Sequence, residues 1–218
     1  MHRIHSCIVT APELERPKRR REVTVERLLD AALETFADVG FAAASVEDVC
    51  RRGGFTRGAF YSSFRTKDEL FAALYARETH RQLTRVEERL AGVETEPDPV
   101  AAAVARCMDA IGGDRTWTLV QAEFALHAAR HPEAAAALRE HTAALRSRIA
   151  AMIDTAAART GLRLAVPTTQ VARTLMALHD GLAVSRAVDG DADDDVERAA
   201  LLLLLRATLS DTPPGDPA

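Results

Sequence analysis

Between Ser45 and Leu70 the chain carries three helix-start signals and one glycine break, and no other stretch restricts the fold as tightly. Ser45 followed three positions later by Asp48 has the pattern of a capping box. In such a box the hydroxyl accepts from a first-turn N–H and the acid accepts from the cap residue's own N–H. The short apolar face of Val46, Val49 and Cys50 then runs into Gly53-Gly54, where a helix stops. Phe55 plugs the turn, Thr56 can cap a second short helix through Ala59, Phe60 and Tyr61 to Phe64, and Thr66 with Glu69 makes another capping box. Two short helices joined by a glycine-bearing turn form a helix-turn-helix, whose second helix has the dimensions to enter a DNA major groove.

On either side the periodicity is helical. Val25, Leu28, Leu29, Ala32, Leu33 and Phe36 fall at i, i+3, i+4, i+7, i+8 and i+11, which predicts a first helix over 24–39 stopped by Gly40. The capping signals predict helices over 46–52 and over a short segment ending near Phe64. The lack of glycine and proline up to Gly92 predicts a fourth over 67–90, long enough to join two lobes. Breaks at Pro97 and Pro99, Gly112-Gly113, Pro132, Gly161 with Pro167, and Gly190 divide the rest into helices over 99–111, 116–130, 132–160, 167–188 and 194–210. Alanine supplies 42 residues and aromatics only 5%, and alanine is the strongest helix former. The expectation is an all-α chain of about nine helices: a basic flexible arm over 1–21, a helix-turn-helix domain over 22–70 and a helical body over 71–218.

The net charge of −4 hides an asymmetry. Residues 1–70 hold 12 Lys+Arg against 11 Asp+Glu, while residues 71–218 hold 16 against 21. Arg16, Lys18, Arg19, Arg20 and Arg21 put five cations in six positions, and five more stand from Arg51 to Lys67 with no acid among them. A local basic face on an acidic body is what a specific DNA binder with a second task shows; a solvated arm and a charged helix face would carry the same residues. The longest apolar run, Ala199 to Leu205, is far short of the roughly 20 residues that cross a bilayer. The first eleven residues lack the apolar stretch of a secretory signal, so no membrane contact is expected and a cytoplasmic location is.

Other chemistries find no residues to carry them. Cys7, Cys50 and Cys107 are far apart and odd in number, which reads as reduced thiols rather than disulfides or a zinc cluster. Glu123, His127 and His131 fall at i, i+4 and i+8, but two helical turns span about 12 Å, too far for one ion. That spacing predicts a Glu123–His127 ion pair instead, with no metal and no cofactor. GxSxG, P-loop, GxGxxG and HExxH patterns are absent. The adjacent His179 and Asp180 point in different directions on a helix, so no catalytic set is expected and the chain does not read as an enzyme.

The stretch Leu28-Leu29-Asp30-Ala31-Ala32, then Phe36, Gly40-Phe41, Ser45 to Val49, Gly53 to Tyr61, Phe64, Lys67 and Glu69-Leu70 resembles the DNA-binding domain of TetR-family transcriptional regulators, over about residues 22–72 and without gaps. Members usually carry alanine where Gly53 and Cys50 stand, valine where Phe55 stands, and often histidine or asparagine where Ser63 stands. The fragment from Glu123-Phe124 to His131-Pro132 is also common among members. The resemblance implies a C-terminal body that binds a small molecule and dimerises, and phosphate contacts from Tyr61 and Lys67.

The residue types support such a reading one by one. Ser45 and Thr56 stand at helix N-termini, where free N–H groups and the dipole favour a phosphate. Tyr61 can offer its hydroxyl to the backbone, unless it is a core aromatic, and Lys67 can meet the same strand. Arg57 is the best base reader, since its guanidinium fork fits guanine O6 and N7, while Gly58 and Ala59 let the helix come close and an alanine methyl can touch thymine. Arg51 and Arg52 either reach the backbone or are solvated. In the body, Trp117, Phe124, Met108 and Met176 are candidates to line a pocket, with Gln121, His127 and His179 to orient a ligand; plain core packing is the alternative for each.

Val171, Leu175, Leu178 and Leu182 form a stripe at i, i+4, i+7 and i+11, and Leu201 to Leu205 is apolar on every side of its helix. Packing these two helices on their symmetry mates would give a homodimer that presents two recognition helices to successive major grooves, unless they serve the subunit's own core. The function expected is a ligand-responsive transcriptional regulator, most simply a repressor released from a palindromic double-stranded DNA operator by a small-molecule inducer. The alternative is a helical small-molecule-binding or enzymatic domain with a vestigial helix-turn-helix.

Overall fold

A computed structural model describes residues 15–189 and 194–210. Within them the chain forms nine α-helices: α1 (Glu15–Val39), α2 (Val46–Gly53), α3 (Arg57–Tyr61), α4 (Lys67–Arg89), α5 (Pro99–Ile111), α6 (Arg115–Ala128), α7 (Pro132–Thr160), α8 (Thr168–Asp189) and α9 (Asp194–Ala207), with a 3₁₀ turn at Val93–Thr95. Among the described residues the β content is one isolated bridge, Leu164 to Leu209, which with the bonds from Ala165 N to Thr208 O and from Ser210 N to Arg163 O pins the end of α9 to the α7–α8 loop. That bridge ends α9 at Ala207 rather than at the expected 210.

The expected arm needs correction. Residues 1–14, Cys7 among them, lie outside the described residues, but 15–20 open a helix that starts nine residues before the predicted 24. Apolar periodicity marks only the buried part of a helix. Arg, Lys and Glu are themselves good helix formers, and Pro17 falls in the first turn, where its missing N–H is not needed.

Gly40 ends α1 at φ +82°, a left-handed conformation that side chains resist. The chain then turns through Phe41 into α2, and α1, α2 and α4 enclose Phe36, Phe41, Phe60 and Phe71, all at 1% exposure or less. This core does not stop at the helix-turn-helix. It continues through Trp117, Val120, Phe124 and Ala128 of α6 into Ala134 of α7. Phe71 stacks on Phe124 at 3.6 Å between ring centroids, and Phe41 meets Phe124 edge-on at 4.9 Å. Beyond that seam α4, α5, α7, α8 and α9 build the body. There Val100, Ile111, Ile149, Met152 and Leu175 are only half-buried, because they surround cavities instead of filling a core.

Candidate functional site

The local signals fold as the chemistry requires. Ser45 Oγ accepts from Asp48 N at 3.1 Å and Asp48 Oδ2 accepts from Ser45 N at 3.0 Å, a complete capping box at the start of α2. Hydrogen bonds from Ser45 and Arg51 hold the Asp48 carboxyl down at about 2. Thr56 Oγ1 accepts from Ala59 N at 3.2 Å and fixes α3. Both hydroxyls are therefore helix caps first. Gly54, at φ +71°, supplies the left-handed turn between the two helices.

On α3, Phe60 is fully buried and Phe64 nearly so, which leaves Tyr61 at 49% exposure with its ring edge-on to Phe60. The core-aromatic alternative for Tyr61 is thus not taken. Arg57 stands out from the surface, Nη1 2.7 Å from Glu47 Oε1 and Cζ 5.9 Å from the Tyr61 ring. A Cβ at Gly58 would meet nothing closer than Thr56 Oγ1 at 3.7 Å, so the outer face of α3 is open beside Arg57. Arg51 pairs with Asp48, and Arg52 with Asp38 and Glu34 of α1. Within the basic row from 51 to 67, Arg52 and Arg57 are matched by acids of neighbouring helices, pairings that a local reading of the sequence does not reveal.

Lys67 departs from a free phosphate clamp. Its ammonium donates to Phe41 O at 2.6 Å and Ala44 O at 2.8 Å, with Ala42 O at 3.4 Å, and it lies 4.4 Å from the Phe41 ring centroid. Burial lowers its pKa from the usual lysine value. The structure thus uses Lys67 to tie the start of α4 to the loop between α1 and α2.

The expected Glu123–His127 pair does not form either. The Glu123 carboxylate accepts from Phe41 N at 2.6 Å, and a Cβ at Gly40 would lie 2.9 Å from its Oε2. His127 turns to Asp68, Nε2 3.3 Å from Oδ1, packs on Phe41 and stacks on His131 at 4.0 Å. Both side chains have better partners across the seam than along their own helix. Their partners lie 82 and 59 positions away in sequence, so periodicity holds no trace of them. Arg77, also missed, is a nearly buried cation that reaches Glu26 and Asp30 of α1 from α4.

The body holds a cavity of 560 Å³. Of the seven residues expected to line a pocket, Trp117, Gln121, Met176 and His179 do so here. Phe124 and His127 do not, because both face the helix-turn-helix, and Met108 lines a separate space of 170 Å³. A third, apolar cavity of 270 Å³ lies among α5, α7, α8 and α9. His179 borders all three. It is held by buried Glu197, whose Oε1 lies 2.7 Å from His179 Nδ1 and whose Oε2 lies 2.9 Å from Arg186 Nη1. Cys107 lies between the two smaller cavities, and burial pushes its thiol up to about 11, so it stays protonated.

Comparison with known proteins agrees with these observations. Residues 28–74 match the family described as bacterial regulatory proteins, tetR family, and residues 97–212 match the BetI-type transcriptional repressor C-terminal family. The transcriptional regulator UidR of Escherichia coli K12 is 26% identical over 186 residues, 85% of this chain and 91% of that protein. An uncharacterized regulator of Mycobacterium tuberculosis H37Rv is 31% identical over 104 residues, and the chain spans about half of its length, 53%. Among solved structures, a transcriptional regulator from Rhodococcus sp. RHA1 superposes with a TM-score of 0.64 at 26% identity, over 87% of this chain and 99% of that one. Salmonella enterica GusR shares the fold with a TM-score of 0.66 at 22% identity, over 91% and 98%.

Proposed function

The chain belongs to the TetR family of bacterial regulatory proteins, and from that premise we propose that it is a ligand-responsive, dimeric DNA-binding repressor acting in the cytoplasm. The observation that carries the reading is the double duty of α6. One face of this helix, Thr118, Gln121 and Ala122, lines the 560 Å³ cavity. The other face, Val120, Glu123, Phe124 and His127, grips the helix-turn-helix through Phe41, Asp68 and Phe71. A molecule that displaces α6 from the cavity side must therefore move the loop that carries α2 and α3, or break those contacts. Packed interfaces of this kind shift between discrete arrangements and do not deform smoothly. Among the described residues no helix is long and apolar enough to cross a membrane.

DNA recognition falls to α3. Arg57 leaves Glu47 for a base edge while Ser45, Thr56 and Tyr61 position the backbone, and Gly58 and Ala59 let the helix come close. Fluorescence anisotropy with duplexes from upstream of the protein's own reading frame tests this. The wild-type chain binds one sequence in a salt-dependent way. Arg57→Ala weakens that complex by about 1–3 kcal/mol and relaxes preference at one base pair per half-site. Equal weakening on every sequence would make Arg57 a phosphate contact, and no sequence-specific binding by the wild type would favour the vestigial alternative.

Dimerisation falls to an exposed apolar face on α8 and α9. The predicted stripe Val171, Leu175, Leu178, Leu182 turns largely inward: Val171 is buried and Leu175 lines the apolar cavity. The face left outside is one step around the helix, Ala177, Gly181, Val184 and Val188, continued by Val196 and Leu203 of α9. Val188 is 77% and Leu203 71% exposed in the single subunit, and a two-fold contact would cover both.

A further inference from the structure

The cavities of the body differ in chemistry and meet at one place. Leu83, Val86, Ile111, Ile149, Met176 and His179 border both the 560 Å³ and the 270 Å³ space, so the two abut across those side chains. The smaller is lined by apolar groups such as Val100, Met152, Ile153, Leu175 and Leu205, with only Thr160, Cys107 and His179 to offer polar atoms. A space lined this way offers a polar group almost no partner and so favours hydrocarbon. The larger adds Gln82, Thr118 and Gln121. We infer that the effector is an uncharged single-chain amphiphile whose hydrocarbon tail lies in the smaller cavity and whose hydroxyl- or amide-bearing head stays in the larger one. This rests on the reading of the chain as a ligand-responsive regulator.

Charge selects the head. An anion in the larger cavity would meet Asp114 and Asp180, while Arg186 is already paired with Glu197. A cation would find neither acid free to receive it, since Asp114 Oδ1 accepts from Trp117 N as the cap of α6 and burial pushes the Asp180 carboxyl up, towards its neutral form. His179 donates Nδ1–H to the Glu197 carboxylate, so in the neutral ring Nε2 is an acceptor, suited to an O–H or N–H of the ligand. Gln121 and Thr118 offer both donors and acceptors on the opposite wall. Size selects the tail: the smaller cavity, 270 Å³, holds about nine methylenes if each takes roughly the 30 Å³ of a water.

Calorimetry with 1,2-alkanediols of six to twelve carbons tests the inference on the full chain, after the same preparation has been shown to bind DNA from upstream of its reading frame. Affinity is expected to rise about threefold to fourfold per methylene and to level off near eleven carbons, two in the head and about nine in the tail. 1,2-Decanediol should bind more tightly than decanoate or decyltrimethylammonium and should release the DNA. Ala103→Phe and Ala156→Phe, at two alanines that line the smaller cavity, should weaken decanediol at least about 30-fold, equivalent to several lost methylenes, while the melting temperature of the free protein holds or rises. Either variant that keeps DNA binding suffices. A flat chain-length series, tighter binding of either charged amphiphile, or full decanediol affinity in a folded Phe variant overturns the inference and leaves the regulator reading standing. Failure of the wild type to bind any upstream DNA would instead sink that reading.

Discussion

Gly53 and Phe55 occupy one space between α2 and α1. A Cβ at Gly53 would lie 2.9 Å from Phe55 Cδ2 and 3.2 Å from Ala31 Cβ, and Arg27 covers the same ring at 4.9 Å while donating to Gly53 O. Against the alanine and valine that the family resemblance leads one to expect, this chain has a methyl less on one residue and a ring on the other. Gly53→Ala alone gains about 0.5–1 kcal/mol of helix preference but overpacks the ring, at a cost of about 1–3 kcal/mol. It should destabilise the protein by roughly 1 kcal/mol, whereas in a Phe55→Val background the same change should stabilise it. Urea unfolding of the four proteins in the cycle decides, and the same sign in both backgrounds would refute the coupling. The two departures stand in the sequence as separate oddities; only the packing shows that they are one. The outward position of Arg57, by contrast, was legible from its place after a cap, because the first turn of a short helix fixes which way its side chains leave.

The loop from Gly40 to Ala44 shows what elements contribute beyond their own sequence. α1 delivers it, α2 starts from it, Lys67 at the start of α4 holds three of its carbonyls, and Glu123 of α6 holds its Phe41 amide. Helix starts were readable because caps act within three residues, and the predicted boundaries of α2, α4, α5 and α7 agree with the structure to within one residue. The stripe of α8 and the roles of Lys67, Glu123 and His127 were not, because each depends on a partner from another helix, and the start of α1 was not, because its first turns carry no apolar periodicity. Lys67→Met keeps the aliphatic stem and removes the donors, leaving partly buried carbonyls unsatisfied, which costs about 1–3 kcal/mol. The expected result is that loss in thermal or urea unfolding, together with faster proteolysis within residues 40–45. Unchanged stability with a lower salt slope of DNA binding would return Lys67 to the role of a phosphate clamp.

At the scale of the whole molecule, the proposed dimer makes two surfaces act together: the α3 faces of two subunits and the α8–α9 faces that would join them. Leu203 points outward in the single subunit, so Leu203→Glu should leave each subunit folded and break only the dimer, where the charge would lose its water without a partner. Light scattering should then give a mass near 23.6 kDa, against twice that for the wild type. Operator affinity should fall steeply, because the second half-site no longer binds as a linked event. An all-α fold was legible from alanine, glycine and proline alone, and the larger cavity in part, through Trp117, Gln121, Met176 and His179, but not its full outline, since it arises where five helices fail to close on each other. If α6 links that cavity to the DNA-binding face, the linkage is reciprocal. Hydrogen exchange of the α6 amides, residues 115–128, measured with and without bound operator DNA, tests it without knowledge of the effector. Bound DNA should slow exchange along α6 and at Phe41, outside the residues proposed to touch the duplex, whereas protection confined to residues 45–67 would contradict the linkage.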